Sequence, residues 1–131
     1  MRLFPGTRPQ NLGAPGSKLR PPPRNPNGVS SQADASDAGH YIAPLRFKGD
    51  PAKAWERLVA ALRAMPRVEV INDSGSYLHA ECSSAALGFI DDLECVLDRK
   101  GRVIHVRSAA RLGRRDFGVN RARVEALRKS I

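Results

Sequence analysis

The alternation of apolar and polar positions changes period several times along this chain, and each change marks a new element. In YIAPLRFK (41–48) Tyr41, Ala43, Leu45 and Phe47 share one side, which predicts a first strand, with Pro44 placing it at an edge or a bulge. The spacing then becomes helical. Trp55, Leu58, Val59, Leu62 and Met65 fall on one face, Asp50 is suited to cap the helix, Pro51 fits its first turn and Pro66 ends it. On that stripe Trp55 reads as a core anchor rather than a ligand-stacking ring.

After Pro66 the period returns to two. RVEVIN, YLHAECS, GFIDDLECVLD and RVIHVRSA read as four further strands, with turns at Asp73-Ser74-Gly75 and Asp98-Arg99-Lys100-Gly101. Connections this short produce an antiparallel meander. A closing helix is expected with Asn120 as N-cap, Val119 and Val124 as a hydrophobic staple, and Val124, Leu127 and Ile131 as its apolar stripe. The order β-α-β-β-β-β-α predicts an α+β fold, a curved and mainly antiparallel five-stranded sheet with both helices on one face.

Residues 1–39 show neither period and hold most of the prolines, including Pro21-Pro22-Pro23, together with Gly, Asn and Ser. With no apolar face to bury, this stretch is expected to be an extended or partly disordered segment, or a strap draped on a single domain spanning residues 40–131. The turn-forming piece NPNGVSSQ (25–32) is the part expected to dock.

A tight turn at Asp98–Gly101 sets the register of the last hairpin. Leu93 then faces Val106 and Cys95 faces Ile104 on the core side, while Asp92 meets Arg107 and Glu94 meets His105 on the other. Cross-strand ion pairs of this kind are ordinary on a solvated sheet face, so these four residues are read as structural.

Charge changes the picture more than composition does. The chain of 131 residues carries a formal +9, and residues 102–131 alone hold nine Lys/Arg against two Asp/Glu. A basic block of this kind favours an anionic partner. Its loop, Arg111 to Gly118, leads into a helix N-terminus, where unpaired N–H groups favour an anion. Yet Arg121 and Arg123 sit in that first turn, where positive charge needs a negative neighbour; internal pairing with Asp91, Asp92 or Asp116 is the bland alternative.

Other chemistry finds little support. Cys82 and Cys95 lie in apolar runs without CxxC or Cys/His spacing, so they read as buried thiols, and no metal site or cofactor is expected. There is no P-loop or dinucleotide fingerprint, and His40, His79 and His105 lie in separate segments away from any nucleophile motif. Asp91 and Asp92 are adjacent on a strand, point to opposite faces and cannot converge on one substrate. Neither a signal-peptide core nor a membrane-length apolar run is present, which predicts a soluble, cytoplasmic protein.

The segments PNGVSSQA (26–33), HYIAPLRFKGDPAKAW (40–55), YLHAE (77–81), GFIDDLE (88–94) and IHVRSAARLGRRDFGVNRARVEALR (104–128) together resemble the uncharacterised bacterial family known as domain of unknown function 1499, from about Pro23 to the C-terminus. The resemblance implies no activity and no catalytic residues. The family typically has Cys-Pro followed by Pro-Asn-Cys-Val-Ser-Ser, whereas Pro22 and Gly28 stand at those cysteine positions here. Any function resting on that thiol pair is therefore not expected of this chain. Relatives often carry a membrane or export segment ahead of the domain, and this sequence shows none.

The resulting expectation is a noncatalytic binding module that recognises an anionic ligand or an acidic partner surface through Arg107, Ser108, Arg111, Arg114, Asp116, Asn120 and Arg121. The competing class is a hydrolase-like or ligand-processing enzyme with a pocket between sheet and helices. Nucleic acid ranks third, because only Phe117 interleaves with the arginines as a stacking ring would have to.

Overall fold

In the computed structural model, which describes residues 4–131, the elements run β1 (Gly28–Ser30), β2 (Leu45–Arg46), α1 (Pro51–Ala64), β3 (Val68–Asp73), β4 (Tyr77–Ser83), β5 (Ile90–Asp98), β6 (Val103–Ala110) and α2 (Val119–Ser130). The sheet order is β1-β6-β5-β4-β3, with β2 also pairing to β6, and every strand pair is antiparallel. Both helices pack on the same face, where Trp55, Leu58, Leu62, Val124 and Leu127 join Leu78, Leu93, Cys95, Ile104 and Val106 in one core. The fold is thus α+β with a mainly antiparallel sheet. Among the described residues no helix is long and apolar enough to cross a membrane.

The sheet has six strands rather than five, because the piece expected to be turn-like supplies β1. Val29 is buried, Ser31 Oγ accepts from the Val106 N–H, and Ser30 N–H donates to His40 C=O, so the segment satisfies its backbone on β6 and on the chain after it. The first expected strand shortens to Leu45–Arg46.

Gly28 explains how β1 comes so close. A Cβ there would lie 2.6 Å from Ala109 Cβ and 2.9 Å from Pro23 Cγ, closer than side chains approach. The glycine here is matched to its neighbours rather than merely tolerated. Gly28→Ala is expected to cost about 1–3 kcal/mol by overpacking, visible as a lower midpoint in denaturant; an unchanged midpoint would show that β1 has room to move.

α1 starts as its sequence predicts, with Asp50 accepting from the Ala52 N–H and Pro51 in the first turn. The start of α2 differs. Its cap is Gly118, in left-handed backbone at φ 80°, and Asp116 does the capping from two residues upstream, accepting from the Gly118 and Asn120 N–H groups. Asn120 is fully buried inside the first turn, and Val119 is half exposed instead of stapling Val124.

The β5–β6 register also differs from expectation. Asp98 pairs with Val103, so the loop holds Arg99-Lys100-Gly101-Arg102, with the Gly101 N–H on Asp98 Oδ1 and Arg102 at φ 55°. Two extra loop residues shift the pairing by two, which keeps every side chain on its face but changes its partner. Glu94 faces Arg107, Val96 faces His105 and Asp92 faces Ala109. The expected Asp92–Arg107 and Glu94–His105 pairs are therefore replaced.

Candidate functional site

Strand alternation sends the apolar residues of β4, β5 and β6 toward the helices and leaves Tyr77, His79, Glu81, Asp92, Glu94 and Arg107 on the opposite face. On a solvated sheet these would be wet. Here His79, Glu81, Asp92, Glu94 and Arg107 are all buried, because the chain before β1 lies across them. Phe4 stacks on Phe89 at 5.2 Å, Arg8 Nε donates to Glu81 Oε2 at 2.7 Å, the Gly13 N–H to Glu94 Oε2 at 2.9 Å, and Arg107 Nε to Pro21 C=O at 3.0 Å.

The centre of this layer is Arg111. Its guanidinium grips Asp92 through Nε and a terminal nitrogen, both at 2.8 Å, and reaches Glu81 with the same terminal nitrogen. His79 Nε2 meets Asp92 Oδ1 at 2.7 Å. Burial alone would raise the Glu81 carboxyl, but hydrogen bonds from Arg8 and Arg111 outweigh it and hold the group down to about 2. Asp92 is likewise held below its ordinary value, burial being outweighed by Arg111 and His79. The same contacts raise Arg111, Asp92 contributing most. Burial pushes Arg107 down to about 10, with Arg20 adding to the effect.

His79, Glu81 and Asp92 bring ligand-type atoms within 4.8 Å of one another, the spacing a metal ion would need. The guanidinium of Arg111 lies against both carboxylates and that of Arg8 against Glu81, so two positive charges already face the two negative ones. The sequence signal for this trio is faint: His79 and Glu81 sit two apart on β4, and Asp92 joins them only through its pairing with Glu81.

These carboxyls make stability depend on acid. Glu81 and Asp92 titrate below their unfolded values, so their contribution is complete above the ordinary carboxyl range and is lost as pH falls through the folded values. Asp91, raised by burial, has the opposite sign: its contribution is complete below the ordinary value and is lost as pH rises through the folded one. With Asp34, Asp116 and Glu125 also held below the ordinary value, five depressed carboxyls stand against one raised, and melting temperature is expected to drop between about pH 4.5 and pH 2, with a shallower drop in Glu81→Gln. Parallel curves for the two proteins would contradict this.

On the helix side of the sheet a second polar group anchors α2. Ser108 Oγ donates to Asn120 Oδ1 at 2.6 Å, Arg123 donates to the same oxygen at 2.7 Å, and Arg123 meets Asp91 at 2.9 Å. Asn120 Nδ2 donates to Asp116 Oδ2 and to Asn27 C=O. Asp91 and Asp92 thus serve opposite faces.

The loop between β6 and α2 is pinned at both ends and bare in the middle. Asn27 Nδ2 holds Gly113 C=O at 2.8 Å, the Asp116 N–H reaches Pro26 C=O, and the Arg111 N–H reaches Ile90 C=O. Arg114 and Arg115, between these ties, and Phe117, just past the last of them, face solvent. Phe117 is 89% exposed and adopts left-handed backbone at φ 52°, a conformation that costs a side chain on the order of 1 kcal/mol. A cleft of ≈ 270 Å³ opens on one side of it, walled by Phe89, Leu112, Phe117 and Val119 and floored by Asp91 and Arg123. A second concavity of ≈ 290 Å³, bordered by Pro26, Val29 and Arg121, lies on the other side.

The seven residues expected to form one anion site are therefore divided. Arg107 and Arg111 turn inward under the N-terminal chain, Ser108 and Asn120 are buried against α2, Asp116 caps that helix, and Arg121 donates to Ala38 C=O. Only Arg114 is exposed, beside Arg115 and Phe117, which that set omitted. The apolar walls were also missed, because Phe89 and Val119 read as strand and staple residues until their exposure is seen.

The family described as "Protein of unknown function (DUF1499)" matches residues 18–131. No curated protein and no solved structure matches the chain.

Proposed function

Because the chain belongs to the DUF1499 family, whose description names no activity, its role has to be read from its own side chains, and we propose that it is a noncatalytic binding module that recognises an anionic group carried on an apolar body. Phe117 carries this reading. A large aromatic ring held in strained backbone and left almost wholly in water gains nothing from the fold, so its place is better accounted for by a partner. The cleft beside it supplies apolar walls and Arg115 supplies positive charge at its edge, with Arg114 exposed next to it in the chain. The loop is tied down before any partner arrives, which lowers the entropy lost on binding.

Anilinonaphthalene sulfonate, an aromatic anion, and a short glutamate-rich peptide with a single leucine provide the test, the first standing for a small ligand and the second for an acidic protein surface. The arm that binds identifies the source. Binding is expected to weaken at least about tenfold in Phe117→Ala, a loss of about 1.4 kcal/mol, with thermal stability unchanged. Arg114→Ala/Arg115→Ala should bind more weakly and lose salt dependence. Affinity indifferent to Phe117 for both probes would overturn the reading.

A further inference from the structure

The polar face of β4 and β5 is covered by a segment that is loosely built for the task. Residues 4–17 precede the matched domain, form no strand, and hold the sheet side through isolated contacts at Phe4, Pro5, Arg8 and Gly13. Ordering such a chain costs conformational entropy at every residue, and the Arg8 side chain that reaches the buried Glu81 is itself 53% exposed.

The fit is also incomplete. Glu94 is fully buried, yet its Oε1 accepts no hydrogen bond among the described residues; the nearest cation, an Arg20 terminal nitrogen, stops at 3.7 Å, and Arg20 Nε is likewise unpartnered. A buried carboxylate oxygen left in this state favours any occupant that brings a better-placed donor.

We propose that this sheet face is a second binding surface, for an extended peptide segment bearing an arginine, and that residues 4–17 are the occupant it carries in cis. The contacts define what is recognised. A guanidinium lies on Glu81 and a backbone N–H on Glu94, across a bed that also presents His79 and Tyr77. Another segment with the same donors would exchange with the resident one, and its apparent affinity would be reduced by the fraction of time the resident segment is in place.

The test uses the full chain, a double variant Phe4→Ala/Arg8→Ala, and a labelled synthetic peptide of residues 4–17, FPGTRPQNLGAPGS. The peptide is expected to bind the variant at least about tenfold more tightly than the unaltered chain, and a peptide with Arg8→Ala at least about fivefold more weakly. Should the variant melt early, Gly13→Pro, which removes the donor to Glu94 at a φ of 122° that proline cannot adopt, loosens the segment independently. Equal affinity for altered and unaltered chains, binding indifferent to the peptide's arginine, or no binding to a folded variant would each overturn the proposal.

Discussion

Replacing Arg111 by alanine is expected to destabilise the chain by about 3–5 kcal/mol, because it leaves the Glu81 and Asp92 carboxylates buried together without their shared cation. A lysine at this position should recover only part of the loss, since one ammonium cannot reproduce the paired grip on Asp92 while also reaching Glu81. Arg114→Ala, further along the same loop and exposed, should stay within about 0.5 kcal/mol. Denaturant midpoints of the three variants check this directly. Similar midpoints for Arg111→Ala and Arg114→Ala would mean that the buried network is not a source of stability.

The second large effect concerns Trp55. It is almost wholly buried on α1, and its Nε1 donates to Asp73 Oδ1 at 2.8 Å, tying the helix to the end of β3. Trp55→Ala is expected to cost about 3–5 kcal/mol through the cavity it leaves. Trp55→Phe isolates the hydrogen bond and should cost about 1 kcal/mol, because Asp73 Oδ1 keeps its bond from the Gly75 N–H. If the phenylalanine variant were as unstable as the alanine one, the polar tie rather than packing would be holding the helix.

What the sequence revealed and what it hid have different physical causes. The four long strands and α1 were legible because each carries its own signal in hydrophobic period, cap or turn. β1 was not, since Gly28, Val29 and Ser30 are held by β6 and by the chain leading to Tyr41, partners their own pattern does not encode. The β5–β6 register was missed by two residues for a similar reason: both loop lengths keep the same faces, and left-handed backbone at Arg102 is not announced by an arginine.

The arginine block shows the same limit at the level of function. Its charge excess was plain from the sequence, but whether an arginine turns inward depends on carboxylates from other strands and on a proline-rich segment lying above them. Arg111 closes on Glu81 and Asp92, whereas among the described residues Arg114 and Arg115 find no such partners on the exposed loop they share with Phe117. The hypothesis of binding accordingly shifts from Arg107 and Arg111 to that loop.

Amide mapping of the protein by nuclear magnetic resonance during titration with anilinonaphthalene sulfonate tests this division most directly. Shifts concentrated at residues 84–91 and 110–119, around the cleft of Phe89, Leu112, Phe117 and Val119 and absent from Phe117→Ala, are the expected result. Shifts centred instead on α1, or persisting unchanged without the Phe117 ring, would contradict the claim that the outward-facing loop is the binding element.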